Sequence, residues 1–163
     1  MEMLHPYWRY EYITTDNKQH NPKLFSELPK KTDEEAHILR RNPYSYLTLN
    51  AFPYTAGHLL AIPYREVGKL SDLNNEERAD LFNLVAYAED LLTQALHPDG
   101  FNIGMNLGLH AGAGFPNHLH VHIVPRWAND HNFMPVIGRT HMLHAAVHTL
   151  WEQLKKHVAT PNH

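Results

Sequence analysis

Three histidines alternate with three aliphatic residues in one short stretch of this chain, and this alternation restricts the fold more than any other feature. The stretch covers residues 117–127 and reads N-H-L-H-V-H-I-V-P-R-W. Side chains two residues apart lie on the same face of a strand. The pattern therefore predicts a strand whose aliphatic face packs in the core and whose other face carries imidazoles. The three histidines are His118, His120 and His122.

Two interpretations of this row need no catalysis. The first is a solvated strand face that happens to be rich in histidine. The second is a metal site, because two alternating histidines can bind one zinc ion. A strand rises roughly 3.3 Å per residue, so the outer two imidazoles start about 13 Å apart and cannot easily share one metal. Such a site would also need further ligands, and the chain has no cysteine.

The third interpretation is phosphoryl or nucleotidyl transfer. Neutral imidazole is a good nucleophile near pH 7, and its phosphorus adducts are labile enough to turn over. One histidine would attack phosphorus while its neighbours donate hydrogen bonds to the phosphate oxygens. A glycine-rich loop at 107–116, L-G-L-H-A-G-A-G-F-P, can bring backbone N–H groups close to a phosphate. The loop matches neither a P-loop nor G-x-G-x-x-G, so it supports this interpretation only beside the histidines.

The remaining patterns predict an α+β fold. Strands are expected at 44–51, 58–63 and 101–106, and the first two form a hairpin through the turn at 52–57. A helix begins after Asn74, where Glu77 completes a capping box, and ends before Pro98. A last helix carries apolar residues along one face between 143 and 154. The short connections make the sheet mainly antiparallel, with the two helices packed on it.

The length of 163 residues is enough for one hydrophobic core, so we expect a single domain over 1–163. It divides into an N-terminal arm at 1–43 with at most short elements, a core motif region at 44–127, and a C-terminal loop and helix at 128–163. The formal net charge of −3 argues against a nucleic-acid partner. Neither a membrane span nor a signal peptide is visible, so we expect a cytoplasmic protein without a membrane partner.

These motifs together resemble the histidine triad (HIT) family. H-L-H-V-H-I-V matches the His-φ-His-φ-His-φ-φ signature that names the family, where φ is an apolar residue. G-H-L-L-A-I-P at 57–63 resembles its second segment and supplies a fourth histidine, His58. Asn50 stands where the family carries Asn or Asp, and M-N-L-G at 105–108 resembles the turn before the phosphate loop. The similarity covers residues 44–127 and is strongest to the bacterial hydrolase and diadenosine tetraphosphate phosphorylase branch.

The resemblance implies a HIT-like fold and a nucleoside-phosphate hydrolase or nucleotidyl transferase. His120 would attack the α-phosphorus, with its other ring nitrogen held by a backbone carbonyl. His122 and His58 would stabilise the phosphate oxygens, and His118 would support the site. The residues expected to bind nucleotide are Asn50 at the ribose and, at the phosphates, Asn106, Gly112, Gly114 and Phe115. Relatives often have Ser, Thr or Gln three or four residues before the first histidine, where this chain has Gly114 and Phe115, so backbone amides would replace a side chain here.

The resemblance also bears on cofactors and partners. No cofactor is expected beyond a divalent cation carried on the substrate phosphates. K-L-F-S-E-L-P at 23–29 stands where some relatives have a zinc-binding cysteine pair, so we expect no structural zinc. Relatives of this type imply a homodimer paired through the first helix and the strand before the triad. Two alternatives to an enzyme stay open: a non-catalytic nucleotide-binding or regulatory protein, and a histidine-rich metalloprotein.

A second group of histidines lies on the last predicted helix. His141, His144 and His148 are spaced i, i+3 and i+7, which is a spacing that can bind a surface metal ion. They lie off the apolar stripe of that helix, so a solvated polar face is the expected interpretation.

Overall fold

Five antiparallel strands form a sheet in the computed structural model, which describes residues 21–128, 130 and 146–158. The strands are β1 (Ile38–Arg41), β2 (Ser45–Leu49), β3 (Leu59–Pro63), β4 (Gly100–Gly104) and β5 (Val121–Arg126). Their order across the sheet is β1-β2-β3-β5-β4. The predicted hairpin is the antiparallel pair β2–β3, and β5 lies between β3 and β4. The α+β class and the mainly antiparallel sheet are therefore confirmed.

The helix α2 (Asn75–Leu96) begins where the sequence predicts it. The side-chain oxygen of Asn74 accepts a hydrogen bond from the backbone N–H of Glu77 at 2.8 Å. The carboxylate of Glu77 in turn accepts one from the backbone N–H of Asn74 at 2.8 Å. Arg65 also donates to both oxygens of Glu77, at 2.8 and 2.6 Å. The capping box thus joins the start of α2 to the segment that follows β3.

Apolar side chains pack on both faces of the sheet. One face is covered by α2 and α3 (Val147–Lys155), and its buried residues include Leu47, Leu59 and Ile123. The opposite face carries a smaller cluster below the short helix α1 (Leu24–Glu27). The buried members of that cluster are Phe25, Ala36, Ile38, Tyr46, Leu60 and Ile62. Side chains alternate along a strand, so β2 and β3 contribute to both clusters and are buried along their whole length.

The N-terminal arm predicted for 1–43 differs from the structure in its described part. Residues 38–41 form the edge strand β1, which pairs with β2, and residues 24–27 form α1. The sheet therefore begins before residue 44, where the prediction placed its start. The prediction missed β1 because I-L-R-R does not alternate and its second half is only partly buried. The assignment of 1–163 to a single domain stays a prediction.

The histidine strand is shorter than predicted. β5 begins at Val121, so His122 lies in the strand while His118 and His120 precede it. The physical reason is a long-range backbone bond: the N–H of Leu119 donates to the carbonyl of Val67, which follows β3, at 2.7 Å. The aliphatic half of the prediction is confirmed, because residues 119, 121 and 123 are all buried.

The last helix, α3, begins at Val147, and its apolar residues Leu150 and Leu154 are buried as predicted. The part of the prediction on residues 143–145 lies outside the described residues, as do His141 and His144. Within the described ranges, no helix combines the length and the apolar character needed to cross a membrane. A cytoplasmic location stays a prediction.

Candidate active site

Three of the four predicted catalytic histidines lie together on the sheet face that carries the smaller apolar cluster. His58 directly precedes β3, and His122 in β5 pairs across the sheet with Leu60 of β3. Since residues 121 and 123 point toward the helices, the alternation directs His122 to the opposite face. The ring centroid of His122 lies 5.1 Å from that of His58 and 4.9 Å from that of His120.

The protonation of His120 follows from one hydrogen bond. Its Nδ1 lies 2.9 Å from the backbone carbonyl oxygen of His118. A carbonyl oxygen only accepts, so Nδ1 carries the proton and donates it. In the neutral ring Nε2 is then unprotonated and keeps its lone pair for attack on an electrophile. The backbone carbonyl that the family resemblance implied for the nucleophile is thus present in this structure.

His58 and His122 form a directed chain of hydrogen bonds. The backbone N–H of Tyr54 donates to Nδ1 of His58 at 3.1 Å, so this nitrogen is the acceptor. The proton of neutral His58 must then lie on Nε2, which is 2.9 Å from Nδ1 of His122. His122 accepts at Nδ1 and carries its own proton on Nε2. The chain therefore runs from a backbone amide through two imidazoles to a donor on His122.

Burial favours the neutral forms of His58 and His120. Desolvation, followed by repulsion from His122 and His120, lowers the pKa of His58 to about 3. Desolvation also lowers the pKa of His120, although its bond to the His118 carbonyl acts in the opposite direction. A neutral His120 with a lone pair on Nε2, and a neutral His58 that donates to His122, are the states that attack on phosphorus at pH 7 requires.

His118 lies beneath the other histidines and holds the backbone. It is 1% exposed, and its Nε2 donates to the carbonyl oxygen of Pro63 at the end of β3, 2.8 Å away. Its Nδ1 lies 3.5 Å from the hydroxyl of Ser26. Desolvation lowers the pKa of His118. The position fits the supporting role that the resemblance implied, because the same residue offers its carbonyl to His120.

Asn50 lies beside His58 and is bonded within the protein. Its side-chain N–H donates to Nδ1 of His58 at 3.3 Å, and its side-chain oxygen accepts from the backbone N–H of Phe52 at 3.0 Å. Asn50 and the backbone amide of Tyr54 both donate to Nδ1 of His58, so both fix the tautomer of that ring. Ribose binding by Asn50 stays a prediction.

The glycine loop has the backbone geometry of a tight, exposed turn. Gly108 and Gly112 have φ values of +85° and +87°, a region that residues with a Cβ seldom adopt, and they flank the single turn Leu109–Ala111. The side chain of Asn106 donates to the carbonyl of Gly112 at 3.4 Å and so braces the loop. Gly112 and Gly114 are exposed, which leaves their backbone accessible. Phosphate binding by Asn106, Gly112, Gly114 and Phe115 stays a prediction.

Two contacts of the histidines had no counterpart in the sequence prediction. The ring of Tyr54 lies 4.7 Å from that of His58 and 5.8 Å from that of His122, measured between centroids. The ring of Phe25 lies 4.9 Å from that of His120. The sequence gives one indication of the contact of Tyr54 with His58, because the two residues are only four positions apart. Phe25 gave no such signal, because it is distant from the triad in sequence and lies in a helix of only four residues.

The described residues contain no group of three or more His, Asp or Glu side chains that could hold a metal ion. His148 on α3 is exposed, and its ring stacks on Trp151 at 6.0 Å. Arg126, which follows the triad, forms an ion pair with Asp130 and donates to Asn102. These contacts favour a structural role for Arg126.

Comparison with known proteins places this geometry in a family. The HIT domain model matches residues 31–129 of the chain. The AP-4-A phosphorylase of Mycobacterium tuberculosis is 44% identical over 114 residues, which cover 70% of this chain and 58% of that protein. The asymmetrical bis(5'-nucleosyl)-tetraphosphatase of Schizosaccharomyces pombe is 36% identical over 106 residues, which cover 65% of this chain and 56% of that protein. The chain thus spans less than two thirds of either relative.

A solved structure shares the fold. A hypothetical histidine triad nucleotide-binding protein from Sulfolobus tokodaii strain7 superposes with a TM-score of 0.67 and 23% sequence identity. The match covers 82% of this chain and 90% of that chain. At this identity the likeness concerns the arrangement of strands and helices, and the chemistry is argued from the site itself.

Proposed function

This chain belongs to the histidine triad (HIT) family, and we propose that it cleaves a dinucleoside polyphosphate or a related nucleotide through a covalent nucleotidyl intermediate on His120. The observation that carries the proposal is the bond from Nδ1 of His120 to the carbonyl of His118, which leaves Nε2 as the nucleophile. The names of the relatives, a phosphorylase of AP-4-A and an asymmetrical bis(5'-nucleosyl)-tetraphosphatase, support the substrate class.

The first half-reaction forms a nitrogen–phosphorus bond and breaks a phosphoanhydride bond. Nε2 of His120 attacks the α-phosphorus, and the bridging oxygen leaves with the bonding electrons as a terminal oxygen of the departing nucleotide. Positive charge develops on the imidazole, and the carbonyl of His118, 2.9 Å from Nδ1, stabilises that charge. In the second half-reaction water or inorganic phosphate attacks the same phosphorus, and His120 leaves as neutral imidazole.

His122 supplies the hydrogen bond that negative charge on the phosphoryl oxygens requires. Its proton lies on Nε2 because Nδ1 accepts from His58 at 2.9 Å. The ring of His122 lies beside that of His120, with the centroids 4.9 Å apart, so its donor is close enough to bond an oxygen of the phosphoryl group that His120 attacks. A hydrogen-bond donor that is oriented before the reaction stabilises the transition state more than a donor that must reorient during the reaction.

The experiment that tests this function is product analysis of diadenosine tetraphosphate incubated with the protein, with and without inorganic phosphate. ADP and ATP that form only with phosphate identify a phosphorylase. AMP and ATP without phosphate identify a hydrolase. The His120→Ala variant is the matched control and should form neither pair. Bound mononucleotide without consumption of any dinucleotide or amidate would support a nucleotide-binding protein instead.

A metal requirement is tested separately, because we propose that any divalent cation enters on the substrate phosphates. Protein treated with a chelator and then freed of it should recover full turnover when magnesium is supplied with the substrate. Turnover that returns only after a transition metal is added back to the protein would support the metalloprotein alternative.

We further propose that the chain forms a homodimer through β4 and α2. β4 is at the end of the strand order, and Ile103 in this strand is 43% exposed. Phe82 on α2 is 47% exposed. Exposed apolar strand edges are surfaces that proteins usually cover. Light scattering should give a dimer mass for the wild type and a monomer mass for Ile103→Lys, whereas a monomeric wild type contradicts the proposal.

A further inference from the structure

The ring of Phe25 lies against two histidines of the triad. Its centroid is 4.9 Å from that of His120 and 5.7 Å from that of His118. The contact with His118 is edge-to-face, with an interplanar angle of 90°, and the contact with His120 is tilted by 59°. Aromatic rings at such distances restrict one another's orientation. One side chain thus contacts the ring of His120 and the ring of His118, the residue whose carbonyl accepts the hydrogen bond from His120.

Phe25 is itself held by the fold. The hydroxyl of Tyr46 donates to the backbone carbonyl of Phe25 at 2.6 Å, and this bond is buried. The Phe25 side chain is 4% exposed and packs with the apolar cluster on this face of the sheet. The ring of Phe115, from the segment before the triad, lies 4.4 Å away. Its position is therefore set before any substrate binds.

We propose that Phe25 is a positioning residue for the nucleophile, which keeps the imidazole of His120 in the plane where Nδ1 bonds the His118 carbonyl and Nε2 faces phosphorus. The proposal rests on the function proposed above. Phe25 does not touch the reacting atoms, so it acts through His120. An α1 residue, from a segment outside the triad motif, thereby becomes part of the catalytic apparatus.

Two effects follow from removing the ring. The first is orientation: without the ring, the His120 side chain can rotate away from the attacking geometry, and small displacements of a nucleophile reduce the rate strongly. The second is hydration: water that reaches His120 favours its charged form, which has no lone pair for attack. The titratable groups near the His120 ring are His118, His122 and His58. The carboxylate of Glu66 is near Ser26 and His118.

The test compares Phe25→Ala and Phe25→Leu with a matched control, Leu28→Ala. Leu28 packs against the same apolar cluster, and it has no ring to place against a histidine. We expect Phe25→Ala to lower kcat on the order of tenfold or more while KM changes little. The acid limb of its kcat/KM profile should move to higher pH. Phe25→Leu should lie between this variant and the wild type, and it is the variant to use if Phe25→Ala does not fold.

Leu28→Ala should lose stability to urea while its pH profile stays that of the wild type. Equal changes in kcat and in the acid limb of the kcat/KM profile for Phe25→Ala and Leu28→Ala would overturn the proposal. Weaker packing of the apolar cluster would then explain both variants. A rise in KM with unchanged kcat would also overturn it and would make Phe25 a substrate contact.

An NMR titration of the His120 ring separates this proposal from the proposed function, since it needs no turnover. The pKa of His120 should be higher in Phe25→Leu than in Leu28→Ala or the wild type. That result would stand even if no dinucleotide were consumed. Equal His120 pKa values in all three proteins would overturn the positioning role, whatever the enzyme assay gives.

Discussion

Nε2 of His58 lies 2.9 Å from Nδ1 of His122, and the backbone amide of Tyr54 fixes the direction of that hydrogen bond. A main-chain N–H cannot change its role, so the protons of both imidazoles are placed without reference to substrate. The proton of His122 then lies on Nε2, and the centroid of this ring is 4.9 Å from that of His120, the proposed nucleophile. We therefore propose that His58 orients the proton of His122, and each residue along this chain yields a separate prediction.

Replacement of His58 should distinguish this orienting role from simple packing. His58→Ala removes the donor to His122, and we expect kcat to fall on the order of 100-fold, as when one donor to a developing anion is lost. His58→Gln keeps an N–H that can donate to Nδ1 of His122 and should retain more activity. Steady-state kinetics on one dinucleotide measures both. Equal losses in the two variants would contradict the orienting role.

Stability should fall at acid pH because His58 is buried in its neutral form. Its pKa is about 3 in the folded protein, against about 6.5 in an unfolded chain. Below pH 6.5 the unfolded state therefore binds a proton that the folded state does not. The free energy of unfolding that His58 contributes is fully present above pH 6.5 and is lost as the pH falls toward 3. The loss is up to about 1.4 kcal/mol per pH unit for this group.

Urea unfolding between pH 7.5 and pH 5 measures this effect. The free energy of unfolding should depend less on pH in His58→Gln than in the wild type. Part of the pH dependence of stability should remain in His58→Gln, because the pKa values of His118 and His120 are also lowered. The control His110→Gln removes an exposed imidazole and leaves the number of buried imidazoles unchanged. An unchanged slope in His58→Gln would mean that His58 is hydrated in the folded protein.

Asn50 should affect catalysis through His58 as well as through any contact with ribose. Its side-chain N–H lies 3.3 Å from Nδ1 of His58. We expect Asn50→Ala to lower kcat about three- to tenfold, the effect of one lost hydrogen bond. The loss should persist with a substrate whose ribose hydroxyls are removed. If the deoxy substrate abolishes the difference between variant and wild type, ribose binding alone explains the residue.

Gly57, which precedes His58, should be intolerant of any side chain. Its φ is +83°, and a Cβ there would lie 2.7 Å from Cδ1 of Leu96 at the end of α2. We expect Gly57→Ala to lower the free energy of unfolding by about 1–3 kcal/mol. Gly100→Ala is the control, since a Cβ at that position meets no heavy atom within 4 Å, and it should change stability by less than about 0.5 kcal/mol. Equal stability of the two variants in urea would show that this loop relaxes freely.

The sequence was sufficient for the part of the site that local patterns encode. Alternation at 118–123 predicted which side chains enter the core, and the Asn74–Glu77 pair predicted the start of α2. The second motif predicted His58, which the structure brings to His122. These features depend on residues close in the chain, where periodicity and capping rules apply.

Contacts between distant segments could not be predicted in this way. The backbone of Leu119 bonds to Val67 and β5 begins only at Val121, after His120, and neither residue of this bond marks it in the sequence. Phe25 reaches His120 because α1 folds over the sheet face, and a helix of four residues is too short to leave a periodic pattern in the sequence. The prediction of three imidazoles on one strand was wrong for this reason, although the residues it named lie in the site.

A covalent nucleotidyl group on His120 can be detected by trapping it during the first turnover. Diadenosine tetraphosphate labelled at the α-phosphorus is mixed with the protein, the reaction is quenched in alkali within the first turnover, and the labelled peptide is sequenced by mass spectrometry. We expect the nucleotidyl group on His120, and no label in His120→Ala. Label on His58 or His122, or undiminished turnover by His120→Ala, would contradict the account.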